Sequence, residues 1–98
     1  MSKGPLVSII MSVHNGEPSL SKSINSITIQ TYENMEILIM DDGSTDTSNK
    51  ILEESANSDK RIKVFQNTEN IGLTKSLNLL IEETKGDFIA RQDADDIS

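Results

Sequence analysis

The sequence contains no cysteine, so disulfides, thiolate nucleophiles and cysteine-ligated zinc are excluded. A single histidine, His14, rules out a metal centre built from several imidazoles. No run approaches the roughly 18 apolar residues of a membrane-spanning helix. Met1 to Pro5 also lacks the apolar core of a secretory signal. These absences lead to the expectation of a cytoplasmic chain, with a peripheral position at the inner face of the membrane open to a longer parent protein. Basic residues are scarce: nine Lys and Arg stand against sixteen Asp and Glu, a net charge of −7. An acidic chain without a basic stripe is poorly suited to following a phosphate backbone, so no nucleic-acid partner is expected. The same charge repels an anionic substrate unless a cation stands between them. Three glycine motifs are missing as well: G-x-G-x-x-G, G-x-x-x-x-G-K-[ST] and G-x-S-x-G. Neither dinucleotide or P-loop phosphate binding nor a serine-hydrolase elbow is supported.

What is present is a regular alternation of segments. Ninety-eight residues amount to one domain's worth of chain, small for a complete enzyme. Leu6 to Val13 is apolar at nearly every position and rich in branched side chains, as in a strand covered on both faces. Pro18 suits a first helical turn. Leu20, Ile24, Ile27 and Thr31 follow at helical spacing. Met35 to Met40 is a second buried strand, and Asp42 to Asp46 is turn and N-cap chemistry opening a helix with Ile51, Leu52 and Ala56. Arg61 to Gln66 alternates as a third strand. Leu73, Leu77, Leu80 and Ile81 predict a third helix, with Lys85 as its cationic last turn and Gly86 as its stop. Asp87 to Arg91 is a fourth strand, expected to be buried.

The order β-α-β-α-β-α-β implies an α/β fold with a parallel sheet, right-handed crossovers and helices on both faces. Ligands of such sheets bind outside the carboxyl ends of the strands. The conspicuous polar clusters fall there: His14-Asn15-Gly16 after strand one, Asp41-Asp42-Gly43-Ser44 after strand two, and Asp93-Ala94-Asp95-Asp96 after strand four. Asp93 and Asp95 put two carboxylates on one side of an extended segment, hard oxygen ligands suited to Mg²⁺ or Mn²⁺; the competing reading is a solvated acidic tail. Asp41 to Ser44 reads either as a glycine turn before a capped helix or as a carboxylate accepting from a base N–H or a ribose hydroxyl. His14 is either a half-buried strand-end residue or a ring that stacks on a base.

Several stretches resemble the family 2 glycosyltransferases, in the family's order. Val7 to Asn15 is similar to the opening strand, and Ser26-Ile27 with Gln30-Thr31-Tyr32 to the S-I-x-x-Q-T-Y helix end. Glu36 to Asp46 resembles E-I-I-I-V-D-D-G-S-T-D, Asn70-x-Gly72-Leu73 with Asn78 resembles N-x-G-L…N, and Gly86 to Asp96 resembles G-x-Y-I-A-R-x-D-A-D-D. The resemblance covers nearly the whole of residues 5–98 and implies a GT-A fold with central strand order 3-2-1-4. It further implies an inverting transferase that takes a UDP- or dTDP-linked sugar, with residues 1–98 as the N-terminal donor-binding part of the domain.

By the same resemblance, His14 and Asn15 belong to the nucleotide site, His14 packs on the base and Asp42 contacts its ring N–H. Asp95 is the direct ligand of a divalent metal, Mn²⁺ or Mg²⁺, and Asp93 supports metal or ribose. The acceptor, a saccharide or lipid-linked glycan, and the catalytic base are expected from chain beyond Ser98, with an exposed fourth-strand edge and self-association of the 98-residue piece as consequences. Two positions depart from the pattern. His14 stands where the family commonly has Tyr, and Leu77 stands where Arg often precedes the asparagine matched by Asn78, with Lys75 as a replacement cation. The alternatives are a non-catalytic nucleotide-binding or interaction module of the same fold, and a flavodoxin-like signalling domain, which would need a Lys at a later strand end.

Overall fold

The computed structural model describes residues 4–15, 17–29 and 34–92. Seven elements follow the expected order: β1 (Val7–Val13), α1 (Glu17–Thr28), β2 (Met35–Asp42), α2 (Ser48–Ser58), β3 (Ile62–Asn67), α3 (Leu73–Glu83) and β4 (Phe88–Arg91). The four strands form one sheet in the order β3-β2-β1-β4, and every pairing is parallel. This order explains the placement of the helices. Steps from β1 to β2 and from β2 to β3 run in one direction, so right-handed crossovers put α1 and α2 on the same face. The step from β3 to β4 reverses direction and carries α3 to the other face. The reversal lies between β1 and β4, where sheets of this class bind their ligands.

Strand alternation then divides the core in two. Ile9, Met11, Val13, Ile37 and Ile39 meet Leu20, Ile24 and Ile27 of α1 and Leu52 of α2. On the opposite face Ile10, Leu38 and Met40 meet Leu77 and Leu80 of α3. Each fully covered Leu or Ile contributes about 2 kcal/mol of transfer free energy, so the spacing of the α1 stripe is enough to hold that helix down. Leu77, the residue at the family's frequent Arg position, is part of this core.

Five expectations need correction. β2 runs through Asp41 and Asp42, which pair with Val13, Gln66 and Asn67 in the ladder, because parallel partners on both sides continue the hydrogen bonding past Met40. Helix α2 takes Thr47 as its N-cap, without a side-chain cap bond. Asp46 instead closes a short turn by accepting the Ser48 N–H at 2.9 Å. Helix α3 ends at Glu83 with Thr84 in extended conformation. Lys85 is therefore outside the last turn, and Gly86 serves a close approach: a Cβ there would sit 2.7 Å from the Ser8 nitrogen and 2.9 Å from the Leu6 carbonyl. In the α3 stripe, Leu73 and Ile81 are exposed, leaving Leu77 and Leu80 as its buried members.

The fifth correction is β4, exposed at all four residues. Among the described residues it pairs with β1 alone, and α3 leans over β1 and β2. Thr31, placed in the α1 stripe by spacing, lies outside the described residues.

Phe88 is 60% exposed and Ile89 47%, on opposite faces of an edge strand whose outer N–H and C=O groups invite another chain. The 98-residue chain is expected to show a light-scattering mass that rises with concentration, and Ile89→Lys to suppress that rise. A wild-type chain that stays monomeric at high concentration would show the edge to be protected.

Candidate functional site

Two polar clasps organise the carboxyl-terminal rim of the sheet. The first is Asn15, just past β1, which adopts a left-handed backbone at φ 53°, tolerated by asparagine better than by most residues. That turn aims its amide at the β2–α2 loop. The Asn15 Oδ1 accepts the N–H of Thr45 at 2.8 Å and that of Asp46 at 3.3 Å. Its own N–H donates to Ser44 Oγ at 2.9 Å. One residue, through its backbone N–H and its side chain, thereby fixes residues 44–46 against the end of β1.

The second clasp is Asp42 at the end of β2. Its carboxylate is 2% exposed. Oδ1 accepts from the Ile71 N–H at 2.8 Å and from Asn67 Nδ2 at 3.0 Å, while Oδ2 accepts from the Gly72 N–H at 2.9 Å. Burial alone raises the carboxyl; the hydrogen bonds from Ile71, Asn67, Gly72 and Ser76 outweigh it and hold the group below its ordinary value. Gly43 makes the approach of this loop feasible: its φ is +68°, and a Cβ would come within 2.6 Å of the Asn70 nitrogen. The β3–α3 loop therefore lies directly on the β2–α2 turn.

His14 joins the two clasps. Its ring reaches the Asp42 carbonyl at 2.9 Å through Nδ1; a carbonyl only accepts, so Nδ1 carries the proton and a neutral ring presents Nε2 as an acceptor. Asn15 Nδ2 lies 3.5 Å from that atom, a weak contact that leaves Nε2 open toward the rim. His14 is exposed, not half-buried. Beneath it, Asp41 is 1% exposed. Its Oδ1 accepts the Ser44 N–H at 3.1 Å, whereas Oδ2 is buried without a donor among the described residues. Such an oxygen is costly to bury and marks a place where the rim has acceptor capacity to spare.

His14, Asn15 and Asp42 are thus brought together, but Asn15 and Asp42 have most of their polar capacity engaged in loop contacts. A base N–H reaches the Asp42 carboxylate only by competing with a donor of residues 67–72. The D-x-D pair, Asp93 and Asp95, lies outside the described residues; the last described contact before it is the Gln92 N–H donating to the Ile10 carbonyl at 3.0 Å. No cluster of three His, Cys, Asp or Glu fit for a metal occurs among the described residues. Asn67 was not singled out by sequence: its amide reaches Asp42 from 25 positions away.

The family model described as Glycosyl transferase family 2 matches residues 8–98. The chain belongs to this family. Among the family's relatives, the Escherichia coli enzyme named UDP-Glc:alpha-D-GlcNAc-diphosphoundecaprenol beta-1,3-glucosyltransferase WfgD is 44% identical over 93 residues, which are 94% of this chain and 36% of WfgD. In structure, the mannosyltransferase PcManGT of Pyrobaculum calidifontis, solved with GDP-Man and Mn²⁺, superposes with a TM-score of 0.89 at 24% identity, over 95% of this chain and 28% of that one. S. aureus TarS 1-349, solved with UDP-GlcNAc, gives 0.86 at 30% identity, over 93% and 27%. The fold is the GT-A architecture of these glycosyltransferases. The chain spans about a third of the length of the curated relatives it matches. No helix among the described residues is long and apolar enough to cross a membrane.

Asp42→Asn turns one amide face toward Gly72 N–H or toward Ile71 N–H and Asn67, leaving a buried donor opposed by a donor. Urea unfolding is expected to show a loss of about 2 kcal/mol. The folded carboxyl is depressed, so its stabilisation is complete above the unfolded value of about 3.9 and is lost as pH falls through the lower folded value. The wild-type advantage over Asp42→Asn should therefore disappear in that acid range. An equal gap at all pH values would show that charge is not what holds the loop.

Proposed function

We propose that the protein carrying this chain transfers a sugar from a nucleotide-diphosphate sugar to an acceptor hydroxyl with inversion, and that this chain supplies the donor side. The observation that carries the reading is topological. His14 and Asn15 leave β1, and Gln92 leads from β4 into the D-x-D, on the two sides of the strand-order reversal. A uridine diphosphate donor is favoured, because the names of WfgD and of the TarS complex specify UDP-linked sugars. A lipid-linked glycan is the acceptor class that the WfgD name supports.

In this reading His14 packs on the base, its ring held in place by the Asp42 carbonyl. Asn15 holds the 44–46 turn beside the nucleotide, and Asp42 holds the 70–72 loop at the opposite wall. The donor diphosphate must approach Asp41, Asp42, Asp93, Asp95 and Asp96, and at ~4 Å with an effective dielectric near 20 each like-charge pair costs on the order of 4 kcal/mol before screening. Asp95, with Asp93 in support, offers the hard carboxylate oxygens that suit Mg²⁺ or Mn²⁺. When bound, that ion neutralises diphosphate charge and acts as a Lewis acid toward the leaving group. Asp95 is the residue assigned to hold it.

Titration calorimetry of UDP, with Mn²⁺ or with chelator, is expected to lose at least about tenfold in affinity without metal. Asp95→Asn should abolish the difference. Equal binding in chelator, or full metal dependence in Asp95→Asn, would show the assigned site to be wrong. The proposal also puts the acceptor base outside these residues, so the purified 98-residue chain should give no glycosyl transfer and at most slow donor hydrolysis. Robust transfer by that chain would place a base within it.

A further inference from the structure

Two neighbouring side chains at the end of β1 are fixed in orientation by backbone groups of β2 and the turn after it. An imidazole bears its proton on either nitrogen, and a carboxamide can exchange its oxygen and nitrogen by turning over. At His14 the Asp42 carbonyl, 2.9 Å from Nδ1, only accepts, so Nδ1 holds the proton and Nε2 keeps a lone pair. At Asn15 the N–H groups of Thr45 and Asp46, at 2.8 and 3.3 Å, only donate, so the amide oxygen faces them and Nδ2 points the other way. Nδ2 lies 3.5 Å from Nε2. The rim therefore holds an acceptor and a donor side by side.

At that separation the two nitrogens satisfy each other poorly, since a well-formed contact of an N–H is nearer to about 3.0 Å. Both residues are exposed among the described residues, and both leave β1 beside the strand-order reversal. The pair suits a ligand with two adjacent polar groups, one that donates to Nε2 and one that accepts from Nδ2. An ionised diphosphate offers acceptors only. The edge of a base offers N–H beside C=O, but a base packed on the face of the His14 ring turns that edge away from Nε2, which lies in the plane of the ring. The ribose remains. Its 2′ and 3′ hydroxyls are neighbours, and each donates or accepts as its partner requires.

We propose that His14 Nε2 and Asn15 Nδ2 together bind the vicinal diol of the donor's ribose, and so select ribonucleotide over deoxyribonucleotide donors. This rests on the donor-binding reading made above. One hydroxyl donates to Nε2 and the other accepts from Nδ2, each contact shorter than the 3.5 Å that now separates the two nitrogens. A dTDP-linked sugar, which has no 2′ hydroxyl, is then a poorer donor than its UDP-linked counterpart. His14 thereby has a task besides packing on the base, one that needs a nitrogen acceptor and that a phenyl ring of similar shape cannot perform. The transferred sugar also carries vicinal hydroxyls that this pair would accept, so UDP without a sugar is the first probe.

The test uses the intact protein, as wild type and as His14→Phe, with Mn²⁺ present throughout. Calorimetry compares UDP with 2′-deoxy-UDP, 3′-deoxy-UDP, N3-methyl-UDP and UDP-glucose. Wild type is expected to lose on the order of tenfold in affinity with each deoxy ligand. In His14→Phe the loss for at least one of them should shrink to within about twofold, while any cost of N3-methylation stays as in wild type. A merely structural role for His14 would weaken every ligand alike and leave these ratios unchanged. Imidazole ¹⁵N shifts, assigned by their absence in His14→Phe, should report a proton on Nδ1 and an Nε2 signal that moves when UDP binds. Equal affinity for UDP and both deoxy ligands, unchanged ratios in His14→Phe, or a proton on Nε2 would overturn the proposal. So would a cost of N3-methylation that disappears in His14→Phe, which would assign the pair to the base edge. A His14-dependent gain of UDP-glucose over UDP without hydroxyl discrimination would assign it to the sugar and overturn the proposal as well. If no nucleoside diphosphate binds, the donor reading fails and this site with it, a result distinct from binding that ignores the hydroxyls.

Discussion

A carboxylate carried into a protein interior has to be met by donors, and β2 carries three of them. All eight residues of this central strand are buried, yet Glu36, Asp41 and Asp42 are among them. Backbone on both flanks of β2 is consumed by its parallel neighbours, so their donors come from elsewhere. The Lys85 N–H arrives from the α3–β4 connection, the Ser44 N–H from the β2–α2 turn, and the Ile71 and Gly72 N–H groups from the β3–α3 loop. Burial and hydrogen bonding are thus the same constraint seen twice: the strand that anchors the core also determines where three connections lie. Glu36, like Asp42, has its carboxyl held low: burial opposes the charge, but the donors from Lys85, Ser8 and Lys63 prevail.

The order of elements was legible because it depends on local period. The Leu20, Ile24 and Ile27 stripe of α1 and the nearly continuous apolar run of β1 are short-range patterns, and both appear where spacing puts them. The functional rim was legible to the same extent, since parallel topology assigns the residues after each strand to one edge of the sheet. What could not be read was which polar groups the fold itself would engage. Asp42 meets its donors 25 to 30 positions away, and nothing in a local window records that pairing. Asn15 has the same history. It looks like a ligand group by position, but its Oδ1 is engaged by Thr45 and Asp46. The Lys85-Gly86 pair misled in a different way: it has the composition of a helix stop, whereas the glycine is required by the closeness of Ser8 and Leu6.

The position of β4 follows from these constraints. A fourth strand placed outside β3 would have continued the same direction of winding, with its helix on the α1–α2 face. Placed outside β1 it reverses the winding and opens a crevice beside the ends of β1 and β4, and among the described residues it pairs with β1. Among the described residues the four residues of β4 are exposed, and its start is tied to β1 and β2 through Gly86 and Lys85. The polar cluster around Glu36 supplies that tie from the amino-terminal end of the sheet, where it does not occupy the rim. At the opposite end Asp42 has its carboxylate engaged by Asn67, Ile71 and Gly72, so it holds loops in place instead of standing open to a ligand.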